Sequence, residues 1–198
     1  MWRAFRAALA RFAVRRAAAS QGRAPGYAVR WLRLACGISP SFADSYPALV
    51  ALYRTMNDRN GALAAAQEAA VRFPHNPDAW MLLGDACLMA FKQKEGLRAY
   101  EQVLVLEERA DAAMAAGALY RRAGRPAEAA ARFARAYAAG GGAEALWENA
   151  QALFLAGDVT AADEALALWA TQVPGGMEQL AEARARLRSA AAGPGAKE

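Results

Sequence analysis

Side chains that could carry out catalysis are few in this sequence. The single histidine, His75, stands in a turn shortly before a proline, where a solvated or capping role is favoured over that of a general base. Acidic pairs such as Glu107–Glu108 and Asp163–Glu164 are adjacent and cannot face one another across a site. The sequence has no Gly-rich phosphate loop, nucleophile elbow or HExxH motif. We therefore predict a protein that is not an enzyme and that uses no cofactor, metal or small-molecule substrate.

The two cysteines, Cys36 and Cys87, are far apart in the sequence and form no CxxC motif. Both stand in helical patterns, where a cysteine usually behaves as a small buried hydrophobe. This favours a packing role over metal or disulfide chemistry.

Composition indicates an all-helical protein. Of the 198 residues, 56% are hydrophobic, and much of that fraction is alanine instead of the Val and Ile that strands prefer. No run approaches the roughly 18 to 20 apolar residues of a membrane-spanning helix, and the N-terminus lacks a secretory signal pattern. These features predict a cytoplasmic protein. Arginine outnumbers lysine 21 to 3, which suggests a GC-rich bacterial gene.

A two-helix pattern in residues 76–108 organises the chain. Small and large residues recur there at steps of three and four, as on two packed helices. Such a helix pair leaves an apolar face that another helix pair must cover. The stretch resembles a tetratricopeptide repeat, because these residues match the packing positions of that family when Pro77 is taken as the first: Trp80, Leu83, Gly84, Tyr100 and Val103. The resemblance implies a helix-turn-helix solenoid, a right-handed superhelix with a concave groove.

The pattern recurs on both sides of this stretch. Four units begin at residues 43, 77, 110 and 143, at intervals of 34, 33 and 33. The predicted organisation is a basic N-terminal helix with a degenerate first repeat (1–42), four repeats (43–175), a capping helix (176–190) and a disordered tail (191–198).

Positive charge is concentrated at the N-terminus. Residues 1–43 contain eight arginines and no acid, whereas the remainder has 16 bases and 19 acids. The first helix has an apolar stripe flanked by arginines, which fits either a cap docked on the first repeat or attachment to a membrane or anionic partner. The residues for the second alternative are Trp2, Arg3, Phe5, Arg6, Arg11, Phe12, Arg15 and Arg16, with Leu9 in the stripe.

The resemblance also implies which residues bind a partner. In the family, the first helix of each repeat lines the groove. The corresponding residues are Arg54 in the first unit; Met81, Leu82, Asp85, Leu88 and Met89 in the second; Met114, Arg121 and Arg122 in the third; and Trp147, Glu148, Gln151, Phe154 and Leu155 in the fourth. We expect Leu82 and Leu88 to face the partner, and Leu83 and Cys87 to face the neighbouring helix.

This groove is rich in methionine and apolar residues, which favours adaptable binding of hydrophobic segments. The lysine and asparagine with which some relatives grip an acidic chaperone tail are absent, and the arginines form no track for nucleic acid. In size and groove character the chain is similar to the tetratricopeptide chaperones of type III secretion translocators. We therefore predict an adaptor, scaffold or chaperone for a hydrophobic or amphipathic protein segment. The alternative is an accessory subunit of a bacterial complex, peripheral to the inner membrane and attached through the N-terminal helix.

Overall fold

The computed structural model describes residues 2–20, 22, 24–38, 41 and 45–191, and every regular element in that part is an α-helix. The prediction of an all-α chain is therefore confirmed. The helices are α1 Trp2–Ser20, α2 Pro25–Ile38, α3 Tyr46–Thr55, α4 Arg59–Arg72, α5 Pro77–Met89, α6 Gln93–Leu106, α7 Ala110–Arg122, α8 Pro126–Ala138, α9 Gly142–Ala156, α10 Val159–Gln172 and α11 Gly176–Ala191. The predicted tail lies outside the described residues beyond position 191.

The chain divides into two compact units, Met1–Gln102 and Val103–Glu198. In the first unit, α1 packs on α2, α3 on α4, and α4 on α5. In the second unit, α7 packs on α8, α8 on α9, α9 on α10, and α10 on α11. Each unit is thus built from helices that pack mainly on their neighbours in sequence, as expected for helical repeats.

The turns within the helix pairs share one geometry. Asn57, Phe91, Gly124 and Gly157 have φ values of 55°, 59°, 70° and 86°, in the left-handed region. In each case the amide N–H of the next residue donates to a carbonyl five residues back, as in Asp58 to Tyr53 (2.9 Å) and Lys92 to Cys87 (2.8 Å). This is the Schellman motif that ends a helix. The four positions are separated by 34, 33 and 33 residues, the spacing predicted from the sequence.

Several helices begin at a residue that satisfies their free amides. The Asn76 side chain accepts from the Asp78 amide N–H (2.9 Å), and Pro77 occupies the first turn of α5. Asp58 accepts from the amide of Gly61 (2.8 Å), and Asp158 plays the same role for α10. These caps fix where each helix starts.

Two glycines bring paired helices into close contact. A Cβ atom on Gly84 would lie 2.5 Å from Cε1 of Tyr100, and one on Gly117 would lie 2.7 Å from Cε1 of Phe133. Both aromatic rings are buried. In each pair, therefore, the glycine backbone of the first helix is covered by a ring from the second.

The N-terminal helix α1 docks on α2 through alanines. Ala10, Ala13 and Ala17 are buried on α1, and the first two cluster with Ala35 of α2. The stripe expected to be covered by docking is instead exposed: 58% of Phe5, 41% of Leu9 and 51% of Phe12. Alanine allows closer approach of two helix backbones than these larger side chains, which gives a physical reason for the difference.

Within the described residues, no helix combines the length and the hydropathy that a bilayer-spanning segment requires.

The close approach at Gly84 predicts the outcome of adding one methyl group. Gly84→Ala should lower the free energy of unfolding by about 1–3 kcal/mol, because the Tyr100 ring must move. The matched control is Gly96→Ala on α6, whose Cβ would meet its nearest atoms at 3.4 Å, an ordinary contact. Alanine in that helix should leave stability unchanged or raise it by about 0.5–1 kcal/mol. Urea denaturation measures both, and a Gly84→Ala protein as stable as Gly96→Ala would contradict the packing.

The left-handed backbone of the turns predicts that replacing a turn glycine by alanine lowers stability more than replacing a glycine with negative φ. A Cβ on Gly124 or on Gly26 would have no neighbour within 4 Å, but only Gly124 has a positive φ. Gly124→Ala should therefore cost about 1–2 kcal/mol through backbone strain alone, whereas Gly26→Ala should cost nothing measurable. Thermal melts of the two variants test this, and equal melting temperatures would rule out the strain.

Candidate functional site

In the first unit, an open pocket of about 340 Å³ is surrounded by residues of α3 and α5, of the turns that follow them and of the first turn of α4. The structure brings three of the predicted site residues together here, namely Arg54, Leu88 and Met89. The other lining residues, Tyr53, Asn57, Arg59 and Phe91, were not predicted. We call this the α3–α5 pocket.

Phe91 is the most exposed aromatic residue of this pocket. Its side chain is 74% accessible, and the guanidinium carbon of Arg59 lies 4.8 Å from the ring centroid. The left-handed backbone at this position belongs to the turn, where the other repeats have Asn or Gly. A signal was present in the sequence, because a bulky aromatic residue is costly at that repeat position.

The other predicted residues of α5 are less available. Leu82 is half-buried and packs against the core of the first unit, as Leu83 does. Met81 is half-buried. Asp85 is exposed, but its carboxylate accepts a hydrogen bond from the Tyr100 hydroxyl (2.7 Å). Asp85 therefore also supports the contact between α5 and α6.

In the second unit, a polar network links α7 and α9. The Arg121 guanidinium forms an ion pair with the Glu148 carboxylate and donates to Oε1 of Gln151 (3.3 Å). It also lies 5.7 Å from the centroid of the Phe133 ring. The structure thus brings three predicted site residues together, but they already satisfy one another.

The apolar residues predicted in the second unit differ in exposure. Trp147 packs against Trp169 with the two rings tilted by 47° and their centroids 5.2 Å apart, at a cavity of about 260 Å³ beside α11. Met114 packs against the cluster around Phe133, whereas Arg122 and Leu155 are exposed. Phe154 corrects the sequence prediction, as its side chain is only 5% exposed and packs with Leu166 and Leu187 in the core. Leu187 belongs to α11, and the apolar pattern of α9 alone does not reveal that this later helix packs against Phe154.

At the N-terminus, the side chains of Trp2 and Arg3 lie outside those described. Arg6 donates from Nε to the Ile38 carbonyl (3.1 Å), and Arg16 lies over the ring of Phe12 at 5.9 Å. Arg11 and Arg15 are exposed. The predicted anionic-contact residues therefore lie on a helix held by α2.

The groups considered for catalysis are scattered. His75 is exposed in the turn before α5. Cys36 and Cys87 are buried, and burial raises the pKa of both thiols, which disfavours the reactive thiolate. Among the described residues, no three His, Cys, Asp or Glu side chains converge as a metal site would require.

No protein-family model and no curated protein sequence matches the chain. Solved structures do resemble it. The crystal structure of MamA has a TM-score of 0.68 at 16% identity, covering 88% of this chain and 94% of that one. The PilF structure from Pseudomonas aeruginosa has a TM-score of 0.64 at 17% identity, covering 96% of this chain and 95% of that one. YrrB, described as a TPR protein with an unusual peptide-binding site, has a TM-score of 0.61 at 19% identity, covering 76% of this chain and 78% of that one. The chain has the tetratricopeptide repeat fold.

Proposed function

We propose that this protein binds an amphipathic segment of another protein, with an apolar side chain of that segment seated in the α3–α5 pocket. The observation that carries the proposal is the open pocket itself, in which Leu88, Met89 and Phe91 lie beside two cationic side chains. A hydrophobic anchor in a small pocket is the usual centre of a protein interface.

The lining residues suit a protein ligand. An exposed aromatic ring with a guanidinium stacked over it offers both apolar area and charge, and aromatic residues, Met and Arg are enriched in interfaces. Met89 has an unbranched thioether side chain that adapts to differently shaped ligands. The pocket therefore fits a range of apolar anchors.

The positive charge of the pocket indicates which residues the bound segment should contain. Arg54 and Arg59 both line the pocket and are exposed to solvent. An Asp or Glu next to the apolar anchor would pair with one of them, which contributes to orientation and association rate more than to affinity. The preferred ligand is thus an apolar residue flanked by an acidic one.

The polar network of the second unit is a weaker candidate. Arg121 is already paired with Glu148, so a ligand that replaced this ion pair would have to offset its loss.

The structural likeness supports the same class of function. YrrB shares the fold and is described as having a peptide-binding site. An adaptor, a scaffold and a chaperone for export would all use such a surface.

Peptides selected from a phage-displayed 12-residue library test the proposal by fluorescence anisotropy. Phe91→Ser should weaken binding of the selected peptides by about 1–2 kcal/mol, or five- to thirtyfold, because the apolar wall is lost. Leu88→Glu should abolish binding, because an anchor would have to desolvate the new carboxylate. Arg54→Gln should weaken acidic peptides preferentially.

The matched control is Val71→Ser on α4, an exposed apolar residue outside the pocket, which should leave the dissociation constant unchanged. Circular dichroism melts establish that the variants are folded. Peptides that bind Phe91→Ser and Leu88→Glu proteins with wild-type affinity would exclude the α3–α5 pocket as the binding site.

A further inference from the structure

The exposed face of α1 is not explained by the pocket. Phe5, Leu9 and Phe12 follow one another at steps of four and three residues, which places them on one side of the helix. About half of each residue is exposed, and the covered part of Phe12 meets the Trp31 ring of α2 edge-on, with centroids 6.1 Å apart. The alanines that hold α1 on α2 lie on an adjacent side. The helix is thus fixed in place while a large part of its apolar stripe stays in contact with solvent.

Basic side chains surround this apolar stripe. Arg15 and Arg16 stand three and four positions after Phe12, so both neighbour it on the helix surface, and Arg11 lies one turn before Arg15. All three arginines are exposed. The region 1–43 has no acidic residue to pair with them internally, and Glu68, which lies near α2, has its carboxylate 3.7 Å from Arg33.

We propose that α1 binds the surface of an anionic phospholipid membrane, lying parallel to it with Phe5, Leu9 and Phe12 inserted among the acyl chains. The charge argues for an anionic occupant, because Arg11, Arg15 and Arg16 are exposed around the stripe and residues 1–43 contain no acid. The shape argues for a membrane over an acidic protein segment, because the apolar residues project from a convex helix and a deformable lipid surface can receive them all.

Docking on α2 favours this mode of binding. An isolated helix must fold when it reaches the membrane, and that ordering opposes binding. Because α1 is already helical and held by its alanines, the aromatic residues and arginines are presented without that cost. The proposal is independent of the α3–α5 pocket, which lies on other helices.

Co-sedimentation of the full chain with vesicles tests it. Wild-type protein should bind vesicles of phosphatidylcholine with 30% phosphatidylglycerol, and should bind pure phosphatidylcholine much more weakly. Arg11→Gln/Arg15→Gln should lower the partition coefficient roughly fivefold for each arginine, the effect expected of a basic residue near an anionic surface. Phe5→Ser/Leu9→Ser should lower it at least about tenfold.

Two control proteins match these changes elsewhere in the chain. Lys94→Gln/Arg98→Gln on α6 removes the same charge, and Val71→Ser/Val105→Ser removes exposed apolar residues. Neither change should alter vesicle binding. Equal binding to both vesicle types, no binding, or unchanged binding by the α1 variants with intact melting curves would overturn the proposal. A wild-type dimer that Phe5→Ser/Leu9→Ser dissociates, together with absent vesicle binding, would assign the face to a second copy of the chain instead.

Discussion

The close contact between the two helices of a pair is the constraint on which the rest of the structure depends. At Gly84 and Gly117 the first helix has no side chain, and the rings of Tyr100 and Phe133 occupy that space. In α9 and α10 the corresponding positions hold Ala150 and Leu166, a small and a larger residue that belong to the same core cluster. Large and small residues are thus matched across each pair, and the match sets how closely the helices approach.

Once this distance is fixed, the turns determine which side chains meet. Each first helix ends in a Schellman motif at the same repeat position, so the residues just before and after the turn fall at equivalent places in successive pairs. Arg54 and Asn57 come from one such place, and Leu88, Met89 and Phe91 from the next. The α3–α5 pocket is therefore a consequence of the repeat, and its chemistry is set by which residues occupy those positions.

Features that depend on residue spacing could be predicted from the sequence. Features that depend on which helix packs over a given side chain could not. The period of the repeat and the packing roles of Gly84 and Tyr100 follow from steric rules that apply to any helix pair of this kind. The burial of Phe154 depends on a later helix, and a single-helix pattern cannot reveal that neighbour. Similarly, the stripe containing Phe12 and the alanine face are both apolar, and periodicity alone does not determine which of them is covered.

The alanine face of α1 has an energetic consequence for the whole N-terminal region. Stabilisation by burial scales with the apolar area removed from water, and an alanine side chain contributes far less area than the Tyr100 or Phe133 ring. The contact of α1 with α2 through Ala10 and Ala13 therefore permits close approach but stabilises less than an aromatic contact of the same length. The large side chains of α1 are only partly covered: about half of each of Phe5, Leu9 and Phe12 is exposed, although the Phe12 ring meets that of Trp31 edge-on. A surface that covered the exposed part of these side chains would remove further apolar area from water, so an external partner that bound this face would add to the stabilisation of α1.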